Sequence, residues 1–136
     1  MPNRQPSDLQ ERIARRRSAE THMVIDGRRW RRTDPAIDDD LRQSLVDELM
    51  SARRAVKSAK RDDDSERVAA ARRRVDDAKV ALGERGPTWW DEIDSEDVST
   101  RVAACRRALG DSGTDVSTDD LCALLGLDEE GWRAGG

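Results

Sequence analysis

Two apolar stripes of helical period, separated by three aspartates, constrain this chain more than any other feature. In DDDLRQSLVDELMSARRAVKSAKR, Leu41, Leu45, Leu49, Ala52, Val56 and Ala59 recur at spacings of four and three, which lines them along one helix face. After Asp62-Asp63-Asp64, a second stripe runs through Val68, Ala71, Val75, Ala78 and Leu82 at close to heptad spacing. Asp38, Asp39 and Asp40 lie where the positive end of the first helix favours carboxylates. Gly83 is placed to end the second helix. A break this short makes neighbouring helices antiparallel, so the stripes predict an αα-hairpin.

Upstream, HMVIDGRRW carries Asp26-Gly27, the strongest short hairpin signal there is. A two-residue type I′ loop pairs Ile25 with Arg28, Val24 with Arg29, Met23 with Trp30 and His22 with Arg31. Met23, Ile25, Arg28 and Trp30 then share one face, and His22, Val24, Arg29 and Arg31 share the other. The first face is the apolar one and is expected to bury. A lone hairpin is marginal in water, so it is expected to rest on the helix pair. Downstream, GERGPTWWDE breaks the helix, and Trp89 or Trp90 is expected to fold back on its open end.

Charge divides the chain into three. Residues 1–36 sum to +4, residues 37–90 to zero and residues 91–136 to −8. Ser7 to about Ala19 predicts a short helix with capping-box spacing at Ser7 and Gln10, anchored only by Leu9 and Ile13. The expected organisation is a mobile basic segment over 1–21, a β-hairpin plus helical-hairpin domain over 22–90, and an acidic helical tail over 91–136. In the tail, Val98, Val102, Cys105 and Leu109 form one stripe. Leu121, Leu124 and Leu125 form another behind Ser117 or Thr118 as N-cap, with Asp111 to Asp115 as the loop between them.

Composition sets the outer limits. Leu, Ile and Val make up only 23 of 136 residues, and 16 alanines fill part of the deficit. That predicts a thin helical core without a large buried cavity. The net charge of −4 is too small for the charge-driven disorder such a composition otherwise suggests. No apolar run reaches the ~18 residues of a membrane helix, and the N-terminus has no secretory h-region. Two cysteines and one histidine exclude a zinc cluster and a disulfide framework. The expected setting is soluble and cytoplasmic. Arginine outnumbers lysine 22 to 3, a bias that GC-rich coding explains without any function.

The run VIDGRRWRRTDPAI, then LRQSLVDELMSARRAV, RRRVDDAKVALGERG and WW, resembles a small uncharacterised microbial family often labelled "biopolymer transporter Tol". The resemblance covers about residues 22–90, and the spacing of DGRRW, DP, ELM, ARR, DAK and ALGERG carries it. The label implies a cell-envelope role. It supplies no catalytic or binding residues, and the sequence shows no signal or membrane segment to go with it.

The best functional signal is Arg28-Arg29-Trp30-Arg31-Arg32. Guanidinium groups bind phosphate bidentately and an exposed indole can stack on a base. Arg12, Arg15, Arg16 and Arg17 would enlarge that basic head. Against this, hairpin register puts Trp30 on the apolar face, where it would pack on the helix pair while the arginines pair with nearby Asp. DDLCALLGLDEEGWRAGG copies part of a helix-turn-helix, with Cys122, Gly126 and Trp132 in the slots for a small residue, a turn glycine and a buried hydrophobe. Its recognition helix would start on Asp128, Glu129 and Glu130, where phosphates must sit.

The aspartate triplets lack EF-hand spacing and are explained by a helix start and a turn. His22 has no partner for a catalytic dyad and is expected at a strand edge or start. Cys105 and Cys122 are expected on the apolar sides of two helices, as reduced small hydrophobes.

The sequence therefore predicts a mainly α protein, with a short β-hairpin packed on an antiparallel αα-hairpin and an acidic helical tail. Its expected role is a small intracellular protein-interaction module, adaptor or regulatory, without catalytic activity, metal or cofactor. The partner would be another protein or a second copy covering the seam at Leu45, Leu49, Val56, Val68 and Val75. The alternative is nucleic-acid binding through Arg28, Arg29, Trp30, Arg31 and Arg32.

Overall fold

The computed structural model describes residues 6–91, 94–113 and 115–127. The order is α1 (Pro6–Ser18), β1 (His22–Ile25), β2 (Arg28–Arg31), α2 (Asp39–Arg61), α3 (Ser65–Leu82), α4 (Ser95–Leu109), a 3₁₀ turn (Gly110–Gly113) and α5 (Thr118–Leu124). The molecule is mainly helical, with a two-stranded antiparallel hairpin resting on helices.

Helices α2 and α3 form the expected antiparallel pair. Asp38 caps α2 by accepting from the backbone N–H of Asp40 and Leu41, and Asp64 caps α3 by accepting from Arg67. Gly83 ends α3 in the left-handed region at φ 81°, which costs glycine little. Leu41, Leu45, Leu49, Ala52 and Ala59 are buried on α2, and Ala71, Ala78 and Leu82 on α3. Val56, Val68 and Val75 are only half-buried.

One core cluster draws on the whole chain after β2. Ile37, Leu41, Leu45 and Leu49 meet Ala78, Ala81 and Leu82, and the tail adds Val102, Cys105, Leu121, Leu125 and Leu127. Helix α4 starts with a full capping box, in which Asp94 and Asp97 each bond the other's backbone N–H. Ser117 caps α5, and the expected 111–115 loop begins as the 3₁₀ turn.

Two expectations are corrected. The hairpin has the expected register at all four pairs, but its apolar face is not buried. Ile25 is 51% exposed and Trp30 39%. The hairpin is held instead at its base, where His22 and Arg31 lie against Trp90, and through Lys79 of α3 over the Trp30 ring. Second, α1 is not anchored by Leu9 and Ile13 alone. Ile13 is buried, but so is Arg12, and Arg16 is bonded into the fold. Trp132 and the acidic run at 128–130, on which the helix-turn-helix reading depends, lie outside the described residues.

Candidate functional site

Four polar arrangements stand apart from the ordinary surface. The most buried centres on Asp34, in the segment between β2 and α2. Its backbone N–H donates to the Leu82 carbonyl at the end of α3 (2.9 Å). One carboxylate oxygen accepts from the Ala36 N–H (2.9 Å) and Arg16 Nε (3.0 Å), and the other from Arg101 Nη1 (2.8 Å) and Arg16 Nη2. Arg101 also donates to the Ala81 carbonyl. Asp34 and Arg101 are both inaccessible to solvent. Burial by itself would raise the Asp34 carboxyl, yet Arg101 and Arg16 outweigh it and hold the group below the usual carboxylate range. A carboxylate sealed from solvent between two guanidiniums cannot exchange protons with an external substrate. This is a structural joint between α1, α3 and α4.

The second arrangement joins α1 to the end of the tail. The last carbonyls of a helix have no partner within it, and here guanidiniums supply one. Arg12 donates to the carbonyls of Ala36, Ala123 and Leu124, and Arg16 to those of Leu125 and Gly126. The positive groups also suit the negative end of α5. Gly126 has φ 69°, and a Cβ there would lie 2.8 Å from the Ala36 Cβ.

The third is the basic hairpin, and it does not present its five residues together. Arg31 points inward, donating to the carbonyls of Gly83 (2.9 Å), Gly86 (3.0 Å) and Pro87 (2.9 Å) with its guanidinium over the Trp90 ring. Arg32 donates to the His22 carbonyl and pairs with Glu20, while its own carbonyl accepts from Trp89 Nε1. Arg28, Arg29 and Trp30 are exposed, as is Arg32 beyond these contacts. Arg28 stands over the Trp30 ring at 4.7 Å, and Lys79 of α3 at 5.6 Å. Trp89 is buried and meets Trp90 edge-on at 5.3 Å. The Trp pair is therefore the bracket of the hairpin.

The fourth was not singled out in the sequence and lies on the helix pair. Arg53, Lys57 and Lys60 recur at i, i+4 and i+7 on α2, and Arg72 and Lys79 at i and i+7 on α3, so each set shares a face. Lys60 and Arg72 line one shallow groove with Asp63, Asp64, Val68 and Ala69. Lys79 lies close enough to Arg85 and Arg53 that, after burial, their charges lower its pKa. The two rows therefore form one basic face, which continues through Trp30 to Arg28.

The remaining candidates have structural places. His22 begins β1, with Nδ1 2.8 Å from the Thr21 hydroxyl. Cys105 and Cys122 are not joined in a disulfide, and burial pushes Cys105 up to about 11. Comparison of the chain with family models, curated proteins and solved structures finds no match.

Proposed function

We propose that the chain is a small protein-interaction module, adaptor or regulatory in role and without catalytic activity, which docks its partner on the β1–β2 hairpin. The observation that carries this reading is the contrast between the hairpin's base and its tip. The base is fixed by Arg31, Trp89 and Trp90, while Val24 is 67% exposed and Ile25 51%. Among the described residues the sheet has two strands, so each outer edge offers backbone groups to an added strand. Rigid apolar side chains beside an open edge suit strand addition by a partner or a second copy. Two cysteines outside any disulfide favour a cytoplasmic setting. No helix among the described residues is long and apolar enough to cross a membrane. The family resemblance assigns no residue a role, and this reading does not draw on it.

A photo-crosslinking amino acid at Val24, compared with one at the exposed Gln43 of α2, tests the reading in living cells. A discrete protein adduct from position 24 and none from position 43 is expected, with an adduct of twice the chain mass identifying a second copy. Equal labelling from both positions, or none from 24, would overturn it.

The alternative reading, nucleic-acid binding through the hairpin, retains Arg28 and Arg29 as outward cations. It has little to support a base-stacking platform, because two cations already stand over the Trp30 ring.

A further inference from the structure

We propose that the face formed by Arg53, Lys57, Lys60, Arg72 and Lys79 docks the phosphate backbone of a nucleic-acid duplex, independently of the hairpin's protein partner. Three observations carry this. First, none of these five cations lies within ion-pair distance of a carboxylate among the described residues, a property that Arg54, Arg61 and Arg73 share but that other cations nearby do not. Arg74 is held by Glu48 and Arg67 by Asp62, and Arg85, at the end of α3, by Asp76. Of the carboxylates near this face, Asp76 is paired with Arg85, Asp64 caps a helix and Glu84 accepts from the Thr33 hydroxyl. Asp63 lines the groove beside Lys60 and Arg72, and the charge of Glu84 reaches Lys79.

Second, the chain has 22 arginines and 3 lysines, and all three lysines, Lys57, Lys60 and Lys79, lie on this face. A coding bias towards arginine does not place them there. Lysine is a compact, hydrated point charge that contacts phosphate without the fixed fork of a guanidinium, which suits binding that does not read sequence.

Third, the cations form two rows. Seven residues of helix advance about 10 Å, so Arg53 to Lys60 and Arg72 to Lys79 each extend that far along neighbouring antiparallel helices. Duplex DNA, with a charge about every 1.7 Å of its axis, is a long anion that such a surface fits. A single strand would need open aromatic faces for its bases, and the partly exposed Trp30 ring at the end of the face already has Arg28 and Lys79 standing over it.

The test is fluorescence anisotropy of the whole chain with a labelled random duplex of about 20 base pairs, at about 50 and 200 mM salt. Binding is expected at the lower salt and should weaken about 10²–10³-fold at the higher, as the release of counterions from about five phosphates requires. Lys57→Gln, Lys60→Gln and Lys79→Gln together should remove most of the binding. Arg54→Gln, Arg61→Gln and Arg73→Gln, exposed cations outside the five, should change it little. Circular dichroism checks both folds, and Lys57→Glu alone serves if the triple variant is unfolded. No binding at low salt, equal loss in both triple variants, or preference for single strands would overturn the proposal. Displacement by polyglutamate at equal charge would also overturn it, in favour of an acidic protein partner.

Discussion

Arg101 donates to Asp34 at 2.8 Å across 67 residues of sequence, and both side chains are wholly inaccessible to solvent. A buried ion pair contributes little compared with a well-packed apolar substitute, but removing one partner strands the other charge. Asp34→Asn should therefore lower stability by about 3–5 kcal/mol, a large share of the ~5–15 kcal/mol of a typical domain. Urea unfolding of the two proteins measures this. A loss under about 1 kcal/mol would mean that Arg101 finds another partner and that the joint is dispensable.

The same carboxylate sets a pH dependence. Its folded pKa lies below the ordinary value because Arg101 and Arg16 outweigh the cost of burial. Its stabilisation is therefore fully present above the unfolded pKa of about 3.9 and is lost as pH falls through the lower folded value. Thermal melts between about pH 5 and 2 should show the wild type losing stability faster with falling pH than Asp34→Asn. Parallel curves for the two proteins would contradict that.

Gly126 offers a test of how tightly the tail is seated. A methyl group there meets the Ala36 Cβ at 2.8 Å and carbonyl at 3.0 Å on a backbone with φ 69°. Gly126→Ala should cost about 1–3 kcal/mol from strain and overpacking together. Gly27→Ala has a similar φ but no atom within 4 Å, so it reports the backbone cost alone. A larger loss at Gly27 than at Gly126 would show that the contact with Ala36 is loose.

The helix pair was legible because its stripes obey a single period, and the hairpin register because Asp26-Gly27 admits one pairing. Which hairpin face packs was not legible. Apolar side chains at Met23, Ile25 and Trp30 point to burial by composition, but Arg31 finds three carbonyls in the turn after α3 and the Trp pair closes over it. Hydrogen bonds to distant backbone leave no periodic signal. Arg101 did leave one: it lies within the stripe of Val98, Val102 and Cys105, where a charge needs a buried partner. The basic face was hidden by averaging, since the aspartates at 38–40 and 62–64 cancel the cations of 53–61 in any sum over residues 37–90.

The clasp of Arg12 on the Leu124 carbonyl spans 112 residues of chain. During synthesis, Arg12 and Arg16 emerge well before the carbonyls at the end of α5 that receive them. Long-range closures of this kind slow folding, and in a nascent chain they stay open until α5 has emerged. The helix pair can form from neighbouring sequence, while the α1 clasp waits for α5. A chain arrested before residue 121 would carry its native hairpin and helix pair with the first helix unseated. Seating of α1 thus reports that α5 is present and folded.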